Sequence, residues 1–248
     1  MDKLATAAFA TNLKALSRDE LFEWVHRNEG SSKHLLIIYS LVLGLQAKVI
    51  IDIGLGLTTR VLRTAAKETG GVVYSFDFDR RRFGHLLAQQ DAQWHLTLAP
   101  TSSSLPTAPT FIDFAVHDGA HDYGNVKRDL EILLPRMRQF GIICVHDTQQ
   151  PDLHGDMLAA IADATRNFKV SITNLPFGCG LAIIRIEEGL SPPITPAAGT
   201  LADGRRDTLP VVFETGPQKI IHVPLYRRWL VPIKIKLGHI LRQAGLRR

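Results

Sequence analysis

Lys48-Val49-Ile50-Ile51-Asp52-Ile53-Gly54-Leu55-Gly56 is the stretch on which the fold turns. Lys48 to Ile53 is an apolar, β-branched run that reads as a buried strand. It enters Asp-x-Gly-x-Gly, and a helix follows from Thr58 to Lys67. Outward from this unit the pattern alternates. Val72–Phe76 reads as a strand and Arg80–Gln90 as a helix. His95–Leu98 is a short strand, followed by a polar loop through Thr110. Phe111–Val116 is a strand, Tyr123–Arg138 a long amphipathic helix with Val126, Leu130, Leu133 and Leu134 on one face, and Ile142–Val145 a strand. Asp156–Phe168 is a helix, and Lys169–Thr173 and Leu181–Ile186 read as a closing antiparallel pair. Strands this apolar are covered on both faces. Alternating β and α elements predict an α/β, doubly wound, Rossmann-like sheet. Two helices precede it: Ser17–Asn28, opened by a Ser17/Glu20 capping box, and Lys33–Leu43. The expected organisation is helices over 1–47, a cofactor-binding domain over 48–188, and a linker with a basic extension over 189–248.

The chain has 248 residues, 45% of them hydrophobic, and a formal charge of +5. After Glu214 there is no acidic residue, and Lys219, Arg227, Arg228, Lys234, Lys236, Arg242, Arg247 and Arg248 are all positive. The basic character therefore belongs to the tail, and the remainder is mildly acidic. Nothing in that remainder calls for nucleic acid as a partner. Cys144 and Cys179 form no disulfide framework and fit a reducing, cytoplasmic setting. Met1–Asn12 lacks the basic start and apolar core of a secretory leader. The longest apolar run, Leu35–Leu45, falls short of the roughly 20 residues a membrane span needs.

Gly54 and Gly56 let a backbone loop approach a ligand closely, and the helix that opens at Thr58 presents free N–H groups. Asp52 can accept from an ammonium group. One β-α-β unit later, Asp77 stands where a carboxylate can take the hydroxyls of a ribose. A dinucleotide site would need a third glycine, and Thr59 occupies that position. An acid two residues before the first glycine suits the amino group of S-adenosylmethionine better than a pyrophosphate. The bland alternative is a simple strand-to-helix turn.

Two further strand ends carry the same kind of acid. Phe111–Val116 runs into His117-Asp118-Gly119-Ala120-His121, and Gly141–Val145 into His146-Asp147-Thr148. In open α/β sheets, ligands bind at such ends. Two acids and neighbouring imidazoles there are suited to a divalent metal and a general base. Taken singly each residue has a structural reading. Asp147 would cap its turn with Thr148, His121 would cap the next helix with Asp122, and His117 would point to the opposite face of its strand. Asp122, Asp129 and Glu131 read as helix-end and surface charges. Asp152 and His154 lie within reach of a substrate.

On these residues the stretch from about Ser31 to Ile186 resembles a class I S-adenosylmethionine-dependent methyltransferase. The resemblance implies a seven-stranded sheet. It assigns Asp52, Gly54, Gly56 and Thr58 to the cofactor loop, Asp77 to the ribose, and Ser102, in the Thr101–Ser104 loop, to the adenine region. Within that superfamily, Asp118-Gly119-Ala120-His121 with His146-Asp147-Thr148 is similar to the cephalosporin-hydroxylase-like group and the metal-dependent sugar O-methyltransferases. That resemblance implies Asp118, His146 and Asp147 as ligands of Mg²⁺ or another divalent metal and His121 as the catalytic base beside Asp118. His146 departs from the oxygen ligands Mg²⁺ prefers. The implied activity is O-methyl transfer to a sugar or other small hydroxylated metabolite. The alternatives are a metal-independent methyltransferase using His121, a non-catalytic cofactor-binding subunit, and oxygen chemistry on His121, His146 and Asp147. The Tyr226–Leu237 stretch of the tail suits contact with an anionic membrane surface, although self-docking is the commoner fate of such segments. Homo-oligomerisation is left open.

Overall fold

In the computed structural model, residues 13–26, 30–149 and 156–190 are described. The chain divides into two units, Met1–Thr195 and Pro196–Arg248. The second unit lies outside the described residues, as do Met1–Asn12, Asp152, His154, the rest of the linker and the basic tail.

Seven strands form one sheet in the order β3-β2-β1-β4-β5-β7-β6: β1 (Val49–Ile53), β2 (Val72–Asp77), β3 (Trp94–Leu98), β4 (Ile112–His117), β5 (Met137–His146), β6 (Val170–Leu175) and β7 (Leu181–Ile186). The pairings are parallel from β3 through β5, and β7 runs antiparallel between β5 and β6. The expected doubly wound sheet with a closing antiparallel pair is thus borne out. Strand periodicity divides the core. Ile50, Val73, Phe114 and Cys144 face one apolar layer, and Ile51, Ile53, Ala115, Ile143 and Val145 the other. The first layer is completed by α1 (Arg18–His26), α2 (Gly30–Leu45) and α3 (Leu57–Thr69), through Leu21, Leu35, Ile38, Val42, Val61 and Leu62. The N-terminal helices therefore share the core of the sheet. The second layer takes Val126, Leu130 and Leu133 of α6 (Tyr123–Leu133) and Met157 and Ile161 of α7 (Met157–Thr165). No described helix is long and apolar enough to cross a membrane.

Some boundaries differ from the sequence reading. The Arg80–Gln90 helix is a single turn, α4 (Arg80–Phe83), followed by a 3₁₀ segment, Gly84–Gln89. The loop after β3 contains the short α5 (Thr101–Ser104). The long helix stops at Leu133, because Pro135 disfavours helical geometry at the residue before it, and Leu134–Arg136 tightens into a 3₁₀ turn. β5 then begins at Met137, well before Ile142, with a register irregularity between Ile112 and Phe114 of its neighbour. The sheet also reaches past Ile186: Leu190 N–H donates to the Met137 carbonyl at 2.9 Å.

Candidate active site

β2 lies to one side of β1 and β4 to the other, so the chain reverses its direction of travel across the sheet at the β1/β4 pair. A crevice opens at the carboxyl ends of the strands at such a point. A cavity of 610 Å³ lies here, lined among others by Gly54, Leu55, Asp77, Phe78, Ser102 and Asp118. That volume falls within the usual range for a small-molecule or cofactor site.

Gly54 joins the two halves of the crevice. Its φ is +92°, and a Cβ there would lie 2.2 Å from the Asp118 carbonyl oxygen and 2.7 Å from the Gly119 Cα. Only a residue without a side chain allows the β1 and β4 loops to touch at this point. The contact is fixed from both sides. Asp118 N–H donates to the Ile53 carbonyl at 2.8 Å, and Gly54 N–H donates to the Phe76 carbonyl at 2.9 Å. Asp77 secures the loop from β2. Its Oδ2 accepts from Leu55 N–H at 2.9 Å and its Oδ1 from Asp79 N–H at 2.8 Å.

The predicted cofactor residues separate by position. Gly54, Asp77 and Ser102 line the cavity. Asp52, Gly56 and Thr58 stand outside its lining. Asp52 is fully buried. Its Oδ2 accepts from Ser75 Oγ–H at 2.7 Å, and Ser75 Oγ accepts from Trp94 Nε1–H at 2.9 Å. Its Oδ1 has no hydrogen-bond partner. Burial pushes the Asp52 carboxyl up to about 7 against the hydroxyls of Ser75 and Thr59, with the Asp118 and Asp77 charges adding to the rise. Thr58 serves the site from the side, its hydroxyl donating to Asp118 Oδ2 at 2.8 Å.

Asp118, His121 and Asp147 come together as a group of possible metal donors. His121 Nε2 lies 3.6 Å from Asp118 Oδ1 and 3.5 Å from Asp147 Oδ2. Asp147 has φ +61°, a left-handed turn that Asp tolerates better than most residues and that ends β5 abruptly. The two turn roles considered for these residues fall elsewhere. Thr148 donates to Asn174 Oδ1 at 2.9 Å, and Asp122 alone caps α6, accepting from Asn125 N–H.

His146 is placed differently from the expected third ligand beside the two acids. Its Nδ1 lies 3.2 Å from Asp118 Oδ1 and 3.0 Å from Asp147 Oδ1. Its Nε2 lies 3.0 Å from His34 Nδ1. His34 Nε2 faces the Phe177 carbonyl at 3.0 Å. A carbonyl only accepts, so His34 Nε2 carries a proton and His34 Nδ1 accepts from His146 Nε2–H. The carboxylates only accept, so His146 Nδ1 donates to them as well. His146 is thus an imidazolium. Burial opposes that charge, but Asp118 and Asp147 outweigh it and raise its pKa far above the ordinary value. Burial likewise pushes Asp118 up, while the His146 charge and hydrogen bonds from His121, His146 and Thr58 hold it well below the usual carboxylate range. His34 is kept neutral by burial and by the neighbouring His146 charge.

His117 points to the other face of β4, as expected, and its Nε2 lies 3.2 Å from Asp129 Oδ2. Asp129 corrects the sequence reading. It is buried, lines the cavity, and accepts from Thr101 Oγ1–H at 3.0 Å and from the Arg128 guanidinium at 2.9 Å. It anchors α5, and with it Ser102, to α6. Its spacing held a signal: Val126, Asp129, Leu130 and Leu133 fall on one helical stripe. Phe78, 70% exposed at the cavity, also went unread.

The donor set suits a divalent cation. Two ionised carboxylates, Asp118 and Asp147, converge, and His121 adds an imidazole. Oxygen donors suit Mg²⁺, and the imidazole widens the choice to borderline metals.

A family model described as a methyltransferase domain matches residues 51–148, which span β1 to the end of β5. A methyltransferase from Podospora anserina, whose crystal structure holds S-adenosylhomocysteine, superposes with a TM-score of 0.55 at 12% identity, covering 76% of this chain and 97% of that one. An O-methyltransferase from Bacillus cereus, also with S-adenosylhomocysteine, gives 0.53 at 15% identity, covering 69% and 92%. A candidate caffeoyl-CoA O-methyltransferase from Staphylococcus aureus gives 0.52 at 17%, covering 69% and 93%. No curated protein matches the sequence. The sheet order and the glycine loop are those of the class I methyltransferase fold, and residues 51–148 match a methyltransferase domain.

Proposed function

We propose that the protein is an S-adenosylmethionine-dependent methyltransferase that transfers the methyl group to a hydroxyl of a sugar or another small hydroxylated metabolite, beside a divalent cation held by Asp118 and Asp147. One observation carries this reading. Asp118 lines the cofactor cavity, its backbone touches Gly54, and its carboxylate faces His121. Methyl donor and proton acceptor would thus stand either side of one residue. The likeness of the Asp118–His121 and His146–Thr148 segments to metal-dependent sugar O-methyltransferases supports the acceptor class.

In the reaction, the acceptor oxygen forms a bond to the methyl carbon as the S–CH₃ bond breaks. The electron pair of that bond returns to sulfur, giving S-adenosylhomocysteine. The hydroxyl proton would pass to His121 once the acceptor oxygen comes within the roughly 3 Å that general-base catalysis needs. The sulfonium charge is lost and a proton is gained, so charge balances. Asp118 and Asp147 orient His121 from two sides and stabilise the imidazolium it becomes. When bound, a divalent cation would supply charge stabilisation to the acceptor oxygen as it loses its proton. A metal-independent variant of the same chemistry is favoured by one feature, the His146 imidazolium already neutralising the acid pair.

The test is S-adenosylhomocysteine formation across a panel of glycosides, catechols and simple alcohols, with and without a chelator. Turnover on a hydroxylated acceptor that collapses with chelator and returns with Mg²⁺ or Mn²⁺ is expected. Turnover indifferent to chelator would select the His121-only mechanism. Transfer to amines alone would overturn the acceptor class.

A further inference from the structure

Beside the acid pair, and outside the lining of the cavity, three buried donors from distant parts of the chain meet. His34 comes from α2, His146 from the end of β5 and Cys179 from the turn between β6 and β7. All three are buried, and their donor atoms fall within 4.8 Å of one another. The separations are 3.0 Å from His34 Nδ1 to His146 Nε2, 3.6 Å from Cys179 Sγ to His146 Nε2, and 4.0 Å from Cys179 Sγ to His34 Nδ1. With metal–nitrogen bonds of about 2.0–2.1 Å and metal–sulfur bonds of about 2.3 Å, a tetrahedral site has N–N edges of about 3.3 Å and N–S edges of about 3.6 Å. The observed triangle departs from that figure by only a few tenths of an ångström per edge.

We infer that His34, His146 and Cys179 form a second metal site, for a borderline-soft divalent ion such as Zn²⁺, separate from the cation beside Asp118 and Asp147. The ring orientations carry the inference beyond proximity. Metal-bound imidazoles characteristically donate their other N–H to a carbonyl or carboxylate, which fixes the tautomer. Both histidines do so here. His34 Nε2–H is on the Phe177 carbonyl, and His146 Nδ1–H is on Asp118 and Asp147. The remaining nitrogens, one on each ring, face each other with the thiol beside them. A thiol with two imidazoles suits Zn²⁺ and disfavours Mg²⁺. The turn is held in place for the purpose. Gln149 N–H donates to the Cys179 carbonyl at 2.8 Å. Gly180, at φ +87°, lets the turn come close enough that a Cβ would lie 2.5 Å from Thr148 Oγ1.

Binding is balanced in charge. The ion displaces the proton on His146 Nε2 and the proton of the Cys179 thiol, releasing both to solvent. A dication with one thiolate then presents the same single positive charge to the acid pair as the imidazolium did. The ion would staple α2 to the end of β5 and the β6–β7 turn and lock the ring that orients Asp118 and Asp147. Among the described residues three ligands are supplied, leaving a fourth position for water.

The test uses the full chain, stripped with chelator, and Co²⁺ as a spectroscopic probe. Only a thiolate ligand gives sulfur-to-cobalt charge-transfer absorption in the near ultraviolet, so the signal is blind to the acid-pair cation. One Co²⁺ per chain is expected to produce that band and to release about two protons. The band should be displaced by Zn²⁺, lost in Cys179→Ser, retained in Cys144→Ser, and shifted to at least tenfold higher Co²⁺ concentration in His34→Gln. Zn²⁺ should raise the Tm of the wild type and not of Cys179→Ser. Should a variant fail to fold, the wild-type band and proton count still decide. No charge-transfer band in the wild type, or a band that survives Cys179→Ser, overturns the assignment.

Discussion

Asp52→Asn should stabilise the ligand-free enzyme, and increasingly so as pH rises. The Asp52 carboxyl is raised from 3.8 to about 7 by complete burial. Between about pH 4 and about pH 7 the folded chain keeps a proton on Asp52 that the unfolded chain has released. This group's contribution to stability therefore falls as pH climbs through that window, and above about 7 the full penalty of a buried, ionised carboxylate is felt. At about 1.4 kcal/mol per pH unit the penalty approaches about 4 kcal/mol. Asparagine removes the charge and can still accept from Ser75. Its amide nitrogen, however, would take the place of the oxygen that has no partner here, at a cost of about 1–3 kcal/mol. The net gain at pH 8 is then about 1–3 kcal/mol, or a Tm higher by about 2–10 °C for a chain of this size. At pH 5 the gain should vanish or reverse. Thermal unfolding of both proteins across this range, followed by circular dichroism, measures it. A constant offset between the two curves, or a less stable variant at pH 8, would refute the reasoning.

Other outcomes follow from the same geometry. Gly54→Ala should abolish S-adenosylhomocysteine binding by calorimetry and lower kcat/KM at least about 100-fold, because its Cβ would push the Asp118 loop away while straining the backbone. Asp77→Asn should weaken S-adenosylhomocysteine about 10- to 100-fold, since it loses a charge-assisted hydrogen bond that fixes the glycine loop. Asp129→Ala strips the partner from buried His117 and from Thr101; it should cost about 3 kcal/mol in urea unfolding and raise KM for the cofactor more than it lowers kcat.

What the sequence disclosed divides along a physical line. The sheet was readable because buried parallel strands need Ile/Val runs whatever surrounds them, and because glycines and acids at strand ends have few other uses. The end of α6 is not legible in the sequence because the apolar stripe continues through Leu134 while Pro135 ends the helix for a reason unrelated to hydrophobicity. Asp129 reads in the sequence as a surface charge because an acid on an apolar stripe is explained only by its partner, His117, and that pairing depends on β4 presenting alternate residues to opposite faces. His34 stands in an apolar helix and Cys179 in a glycine-rich turn. Neither has a local signal. Their meeting with His146 is made by the packing of α2 and the β6–β7 turn over the end of β5, across 112 and 33 residues of chain.

The most direct test of the central claim compares single-turnover methyl transfer in the wild type and His121→Gln on the best hydroxylated acceptor, with S-adenosylhomocysteine affinity measured alongside. The account predicts affinity unchanged within about twofold, since His121 does not line the cofactor cavity, and a rate lower by about 10²- to 10⁴-fold. An undiminished rate would contradict the assignment of His121 as the proton acceptor.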